Sequence, residues 1–404
     1  MRIGIVGAGF VGVCTALELS WRGHRVEVFE RRGGIATESS FAGAGILCPT
    51  ALPSLSRHPH WLHRSPWNAR ARLQARARKQ ADWLRRQQVL VQLADLGEQR
   101  LAQLEAEHRL EFEQRRGWLI LHPDERSLKL READAAHLSS LGLPHQCLGP
   151  EELAMAEPAI HAARPAAGGL WLPQVRVVNT RQLTQQLRGL AQQLGAIFHL
   201  NTEVEDIDTR HPTRLRSQRS DGQAGVDTPF DAVVLCTGTA SMHWLKAQGQ
   251  RWPLQAAPGC SLTAPLHLPE AMPDPAPRGA VTDAQTGLTL TRLGERVRIT
   301  DPWAELDAKG RPALTTQRRM YAALERWFPE AGHGNPAQAW QGTRARLPDD
   351  APVVGPSPWP GLWLNLGHGD QGSALAGGCA QLLADALEGR PALEGQDLLG
   401  CTRW

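Results

Sequence analysis

The chain has 404 residues, enough for two ordinary domains with a cleft between them, and its 42% hydrophobic content suffices for two buried cores. Its 44 Lys and Arg against 41 Asp and Glu leave a formal charge of +3, far from the basic balance that nucleic-acid binding would demand. The 7 cysteines include no CxxC pair, which argues against a zinc site or an iron–sulfur cluster and fits free thiols in a reducing cytoplasm.

From the start of the chain, residues 2–6 (RIGIV) read as a short buried strand. Glycines at Gly4, Gly7, Gly9 and Gly12 interrupt the apolar run, which is wrong for a signal peptide. No stretch of about 18 apolar residues follows anywhere, so no bilayer-spanning segment is expected. Gly7-Ala8-Gly9-Phe10-Val11-Gly12 precedes an amphipathic run from Val13 to Arg22, and a second strand, Val26 to Phe29, ends at Glu30, 18 residues beyond Gly12. Strand, GxGxxG, helix, strand and acid in that order form a dinucleotide-binding fingerprint. The glycines admit a pyrophosphate to the backbone, the helix N-terminus faces its charge, and Glu30 accepts from ribose hydroxyls. A carboxylate there would repel a ribose phosphate and so disfavours NADP; Arg31 and Arg32 soften that argument. The next stretch, Glu38-Ser39-Ser40-Phe41-Ala42-Gly43-Ala44-Gly45-Ile46-Leu47, is a loop of hydroxyls and small residues rather than a further strand and helix, which suits FAD better than NAD.

His58, His60 and His63 have no Cys or carboxylate to complete a metal set, and Pro59 implies a loop, so no metal is expected. Residues 64–86 interleave Arg70, Arg72, Arg76, Arg78, Arg85 and Arg86 with Trp67, Leu73, Trp83 and Leu84. Two readings stay open there: a basic face on anionic lipid, or a solvated helix face. Helices are expected over Arg181 to Leu194 and Thr315 to Trp327, and surface turns over 210–229 and 264–280. Asp231 to Leu235 reads as a strand ending at Cys236-Thr237-Gly238, where a parallel sheet places ligand contacts. If Gln341 to Arg346 is a strand, Arg344 and Arg346 share one face. Gly367 to Ser373 reads as a glycine-rich loop feeding a helix N-terminus.

In order and spacing, ESSFAGAG, GWLILHPDE, EPAIHAA with GGLWLP, FDAVVLCTG, GCSLTAPL, GTRARLPDDAPVVG and LWLNLGHGDQG resemble the D-amino-acid oxidase superfamily of FAD-dependent oxidoreductases, most of all the bacterial D-amino-acid dehydrogenases. The resemblance implies an α/β fold: a discontinuous, doubly wound FAD-binding domain over 1–48, 175–245 and 338–404, and a mixed-sheet α+β substrate domain over 49–174 and 246–337. Along FAD it implies Gly7, Gly9, Phe10, Val11, Gly12, Glu30, Arg31, Ser39, Ser40, Gly43, Gly45, Ile46 and Leu47. Further contacts follow from Val204, Thr237, Gly238, Gly342, Gly369, Asp370, Gln371, Gly372 and Ser373.

The implied reaction removes a hydride from an amino acid's Cα to flavin N5, giving an imino acid that water converts to a 2-oxo acid and ammonia. Arg344 is assigned to the substrate carboxylate, against the alternative of a structural salt bridge to Asp349 or Asp350; for Arg346 the salt bridge is favoured. Asp370 and Gln371 occupy the variable centre of GHGDQG, Asp370 either receiving a substrate cation or capping the helix, while His368 is expected to be a hydrogen-bonded scaffold residue. Cys260 and Thr300-Asp301-Pro302 depart from the family pattern. With Tyr321 as the only tyrosine, the lid of the oxidase branch has no counterpart. The expected partners are an amino-acid substrate and a quinone or other electron acceptor, with no nucleic acid. A cytoplasmic location follows, and contact with the inner face of the cell membrane stays open. Two other functions are retained, a glycine- or sarcosine-type amine oxidase and a flavin subunit of a heteromeric dehydrogenase.

Overall fold

Ile3 and Ile5 on one face and Gly4 and Val6 on the other are all buried, as expected of a strand covered on both faces, and around them the chain assembles a largely parallel sheet. The computed structural model describes residues 1–50, 52, 55, 82–160, 166–210, 213–220, 226–266, 274–305, 312–331, 337–391 and 393–403. The first sheet has six strands in the order β16 (Val353–Pro356), β17 (Leu362–Leu366), β10 (Ala232–Leu235), β1 (Arg2–Val6), β2 (Arg25–Phe29) and β6 (Ile197–His199). All neighbours run parallel except β16 and β17. Its strands come from segments far apart in sequence, so the sheet is discontinuous along the chain.

The second sheet has eight strands in the order β15 (Gln338–Arg346), β11 (Gln255–Pro265), β14 (Arg296–Asp301), β13 (Thr289–Leu293), β12 (Ala280–Asp283), β3 (Gln114–His122), β5 (Gly168–Val178) and β4 (Gln146–Leu148). It is mixed, with β12 and β3 parallel and the other pairs antiparallel. A third, antiparallel sheet joins β7 (Thr202–Asp208), β8 (Thr213–Arg219) and β9 (Val226–Phe230). The turn reading of 210–229 is therefore corrected. Thr213, Leu215 and Ser217 alternate inward, and that short period was masked by the polar residues between them.

In chain order the helices are α1 (Phe10–Trp21), α2 (Trp83–His108), α3 (Glu125–Ser140), α4 (Pro150–Ala156), α5 (Thr180–Gln193), α6 (Ser241–Ala247), α7 (Leu314–Trp327) and α8 (Gly372–Leu387). Helices α5 and α7 match the two expected from apolar spacing to within one residue at each end. The first helix is a correction: α1 starts at Phe10 rather than Val13 and buries every residue from Gly12 to Ser20. It is not amphipathic because α5, α8 and the sheet enclose it together. Its one buried carboxylate, Glu18, is compensated by Arg22 Nε at 2.8 Å and Arg100 Nε at 3.2 Å.

Helix α2 packs on α8 at glycines, since a Cβ at Gly378 would lie 1.8 Å from the Leu93 carbonyl oxygen. Helix α7 backs the eight-stranded sheet with Met320, Leu324 and Trp327. Of the arginines in 64–86, only Arg85 and Arg86 are described. Arg86 is buried, with Nη1 3.4 Å from the buried Asp349, so it belongs to no lipid-facing surface. Among the described residues no helix is long and apolar enough to cross a membrane.

Candidate functional site

The loop between β1 and α1 is shaped by its glycines. Gly7 has φ +102°, a conformation that favours glycine, and a Cβ on Gly12 would meet the Gly7 carbonyl oxygen at 1.9 Å. Only a bare backbone allows so close a turn. Glu30, at the end of β2, accepts hydrogen bonds from Ala8 N at 2.8 Å and Arg32 N at 2.9 Å. The acid thus holds the glycine loop in place, and each oxygen retains a lone pair for a ribose hydroxyl. Arg31 turns outward to Glu38 at 3.2 Å.

Ser40 Oγ accepts from Phe10 N at 3.0 Å, tying the 38–47 loop to the first turn of α1. The rest of that loop is stitched to β5: Gly45 O accepts from Val178 N at 2.9 Å, Ile46 bridges to Val177, and Leu47 N donates to Arg176 O at 2.9 Å. Gly45 has φ +71° and lies so near β5 that a Cβ would be 2.0 Å from the Val178 oxygen. Arg298 secures the same loop from the eight-stranded sheet, donating from Nη1 to Gly43 O at 3.3 Å; burial pushes this guanidinium down to about 10.

A cavity of about 300 Å³ runs from this loop to the eight-stranded sheet. Gly9, Phe10, Val11, Ser39, Ser40, Gly43, Gly45, Ile46, Gly238, Gly342, Arg344 and the run Gly369 to Ser373 all line it. Gly7 and Gly12 are not in the lining; they shape the turn that presents Gly9 to Val11 to it. Glu30, Arg31, Leu47, Val204 and Thr237 are outside the lining: Val204 packs at the edge of a core cluster on β7, and Thr237 Oγ1 bonds Ser241 Oγ at 2.7 Å. Two helix N-termini open on the cavity, those of α1 and α8, and neither N-cap residue, Gly9 or Gln371, caps its own helix through a side chain. Such ends attract negative charge. A tight glycine turn, a ribose-ready acid and two open helix ends fit the pyrophosphate and the electron-rich ring of FAD.

Strand β15 forms the opposite wall. Trp340, Gly342, Arg344 and Arg346 alternate onto the cavity face, and a Cβ at Gly342 would meet the Trp340 ring at 2.2 Å. Arg344 Nη2 donates to Pro302 O at 2.8 Å, and its Nε lies 2.9 Å from Asp370 Oδ1. The salt bridge weighed for Arg344 with Asp349 or Asp350 does not form. Arg346 makes it, with Nη2 2.7 Å from Asp350 Oδ1, because Arg344 leans instead toward the turn that starts α8. Asp349 pairs with Arg403 at 2.9 Å.

His368 has backbone bridged to Arg346, but its ring Nε2 is buried without a hydrogen-bond partner, and burial pushes the imidazole down to about 3. It is scaffold held by packing rather than by the expected ring hydrogen bond. Asp301 is 1% exposed and is held by Arg319 Nη2 at 2.8 Å and by Trp303 N at 2.8 Å. Cys260 places Sγ 3.6 Å from Met320 Sδ, and burial raises its thiol to about 12.

Sequence reasoning missed the aromatic walls Trp118, Trp303 and Trp340. For Trp340 a signal existed, its two-residue spacing from Gly342 and Arg344 on one strand face. Among the described residues no three His, Cys, Asp or Glu are placed to hold a metal, and His58, His60 and His63 lie outside them.

A family model described as FAD dependent oxidoreductase (DAO) matches residues 2–386. Proteins named D-amino acid dehydrogenase from Cereibacter sphaeroides and Granulibacter bethesdensis are 33% and 32% identical to this chain over 98% of it, covering 94% and 98% of their own lengths. Among solved structures, glycine oxidase from Geobacillus kaustophilus superposes with a TM-score of 0.75 at 21% identity, over 100% of this chain and 98% of its own. Iminodiacetate oxidase from Chelativorans sp. BNC1 gives 0.75 at 20% identity, over 99% and 98%. These two likenesses show the shared fold.

Proposed function

The chain belongs to the DAO family of FAD-dependent oxidoreductases and is an FAD-dependent amino-acid dehydrogenase or oxidase; from that premise we propose that its substrates are D-amino acids and its electron acceptor a quinone or similar carrier rather than dioxygen. The single observation that carries the reading is Arg344 on the cavity wall facing the N-terminus of α8. A guanidinium stays charged and presents a fork to a carboxylate. Relatives at about one-third identity named D-amino acid dehydrogenases support the chirality and the acceptor class.

Bound FAD would supply the hydride acceptor for the substrate Cα. The residues of the chain do the rest. Arg344, anchored on Pro302 O, orients the carboxylate and so fixes where Cα points. Trp303 and Trp340 supply apolar walls that exclude water, and the N-terminus of α8, which opens on the cavity, would favour negative charge on the bound cofactor. Gly7, Gly9, Gly12, Ser39 and Glu30 would hold the dinucleotide half.

The test is the visible spectrum of the FAD-loaded protein, titrated anaerobically with D-amino acids, L-amino acids, glycine and sarcosine. Bleaching by D-amino acids, with reoxidation faster by a soluble quinone than by air, is expected. Bleaching by glycine or sarcosine alone would replace the reading with an amine oxidase. A flavin that no amine reduces would point to a subunit that needs a partner.

A further inference from the structure

We propose that Asp370 is the proton acceptor for the substrate's α-ammonium, released for that task when the substrate carboxylate takes over Arg344; the inference rests on the amino-acid reading of the cavity given above.

Asp370 sits on the turn of 3₁₀ helix, Gly369–Gln371, that leads into α8, and its side chain is 43% exposed on the cavity. It faces Arg344 Nε at 2.9 Å and Arg346 Nη1 at 3.8 Å. Arg346 is already engaged by Asp350 at 2.7 Å and lies 5.3 Å from the centre of the Trp303 ring, so its charge is largely answered. The other titratable groups around the cavity are out of a ligand's reach or already protonated, and burial pushes the Asp301 carboxyl up without exposing it. Asp301 is sealed under Arg319 and the Trp303 N–H, and the His368 ring is buried and held neutral. The thiols of Cys48, Cys236 and Cys260 stay protonated because burial disfavours their anions. Asp370 is thus the one acid lining the described cavity that combines exposure with a partner a ligand can replace.

The exchange follows from charge. In the resting site Arg344 and Asp370 neutralise one another. An arriving amino acid is a zwitterion, and it fits such a pair antiparallel, its carboxylate on the guanidinium and its ammonium beside the aspartate. As Arg344 turns to the substrate carboxylate, the Asp370 carboxylate is left facing the α-ammonium across the cavity. A proton then passes from the α-ammonium nitrogen to Asp370 Oδ: the N–H bond breaks, an O–H bond forms, and the pair R–NH3⁺ and –COO⁻ becomes R–NH2 and –COOH. The nitrogen keeps the electron pair of the broken bond, and that lone pair is what oxidation at Cα requires. Two of the four charges vanish together, which suits a cavity walled by tryptophans.

The test follows anaerobic flavin reduction by D-alanine and D-methionine, from about pH 6 to about pH 10, in the FAD-loaded native protein, Asp370→Asn, Asp370→Ala and Asp370→Glu. The native limiting rate is expected to vary shallowly with pH. Both neutral variants should retain the flavin spectrum yet lose about tenfold in rate for each pH unit below the amine's own pKa, converging on the native rate at the alkaline end. Asp370→Glu should restore the shallow profile. Neutral variants whose profiles run parallel to the native one, at any height, would overturn the proposal while leaving the amino-acid reading intact. A native protein that no amino acid reduces at any pH would overturn that reading, and this inference with it.

Discussion

Arg344 Nε lies 2.9 Å from Asp370 Oδ1, and Arg344 Nη2 donates to the Pro302 carbonyl at 2.8 Å. One guanidinium therefore joins β15, the end of β14 and the entrance to α8, three segments remote in sequence. A substrate carboxylate that docks on Arg344 is fixed against all three. Arg344→Ala is expected to weaken carboxylate substrates by roughly 2–5 kcal/mol, seen as a raised KM with the flavin retained. Kinetics equal to the native enzyme would remove Arg344 from the site. Arg344→Lys keeps the charge but not the fork and should fall between the two.

Glu30 serves the cofactor through its own backbone contacts. Truncation to alanine orphans the N–H groups of Ala8 and Arg32, each at a cost of about 1–3 kcal/mol where buried, and removes the ribose acceptor. Glu30→Ala should emerge from gel filtration with much less FAD than the native protein. Equal flavin-to-protein absorbance ratios would show that the acid is dispensable.

The packing of α1 depends on a buried carboxylate. Glu18 is 4% exposed and holds both Arg22 and Arg100. Glu18→Ala should cost about 3 kcal/mol, read as a lower midpoint in urea. Arg31→Ala, which breaks only the exposed pair with Glu38, should change stability by less than about 0.5 kcal/mol. Similar losses in the two variants would contradict the burial argument.

Glu157 gives stability a pH dependence. Burial raises its carboxyl to about 7, opposed by the Arg278 N–H that donates to Oε2 at 2.7 Å. Because the folded state holds this proton more tightly than the unfolded chain, its contribution is fully present below the ordinary carboxylate pKa. It is lost as pH rises through about 7. The loss is on the order of 3 kcal/mol. Urea midpoints at pH 5 and pH 8 should therefore lie further apart in the native protein than in Glu157→Gln, and an unchanged gap would refute the assignment.

The N-terminal fingerprint was legible in the sequence because its constraints are local. Gly7, Gly12 and Glu30 are fixed by the geometry of one turn and of the strand beside it, and that geometry tolerates few other residues. The family's motifs likewise announced the mixed α/β fold and FAD, and the apolar spacing of α5 and α7 followed from helix period alone. The salt bridge favoured for Arg346 forms, with Asp350 four residues along the chain, whereas the pairing of Arg344 with Asp370 was not legible. Arg344 takes Asp370 because of how β15 is set against the start of α8, and charge pairing there depends on distance in space rather than along the chain. The same reason explains why α1 is enclosed instead of amphipathic, why Arg86 is buried against Asp349, and why Trp340 walls the cavity. The sequence by itself determined the turn that receives a dinucleotide; only the tertiary structure decided which acid meets which base across the cavity, since that choice is made by segments that folding alone brings together.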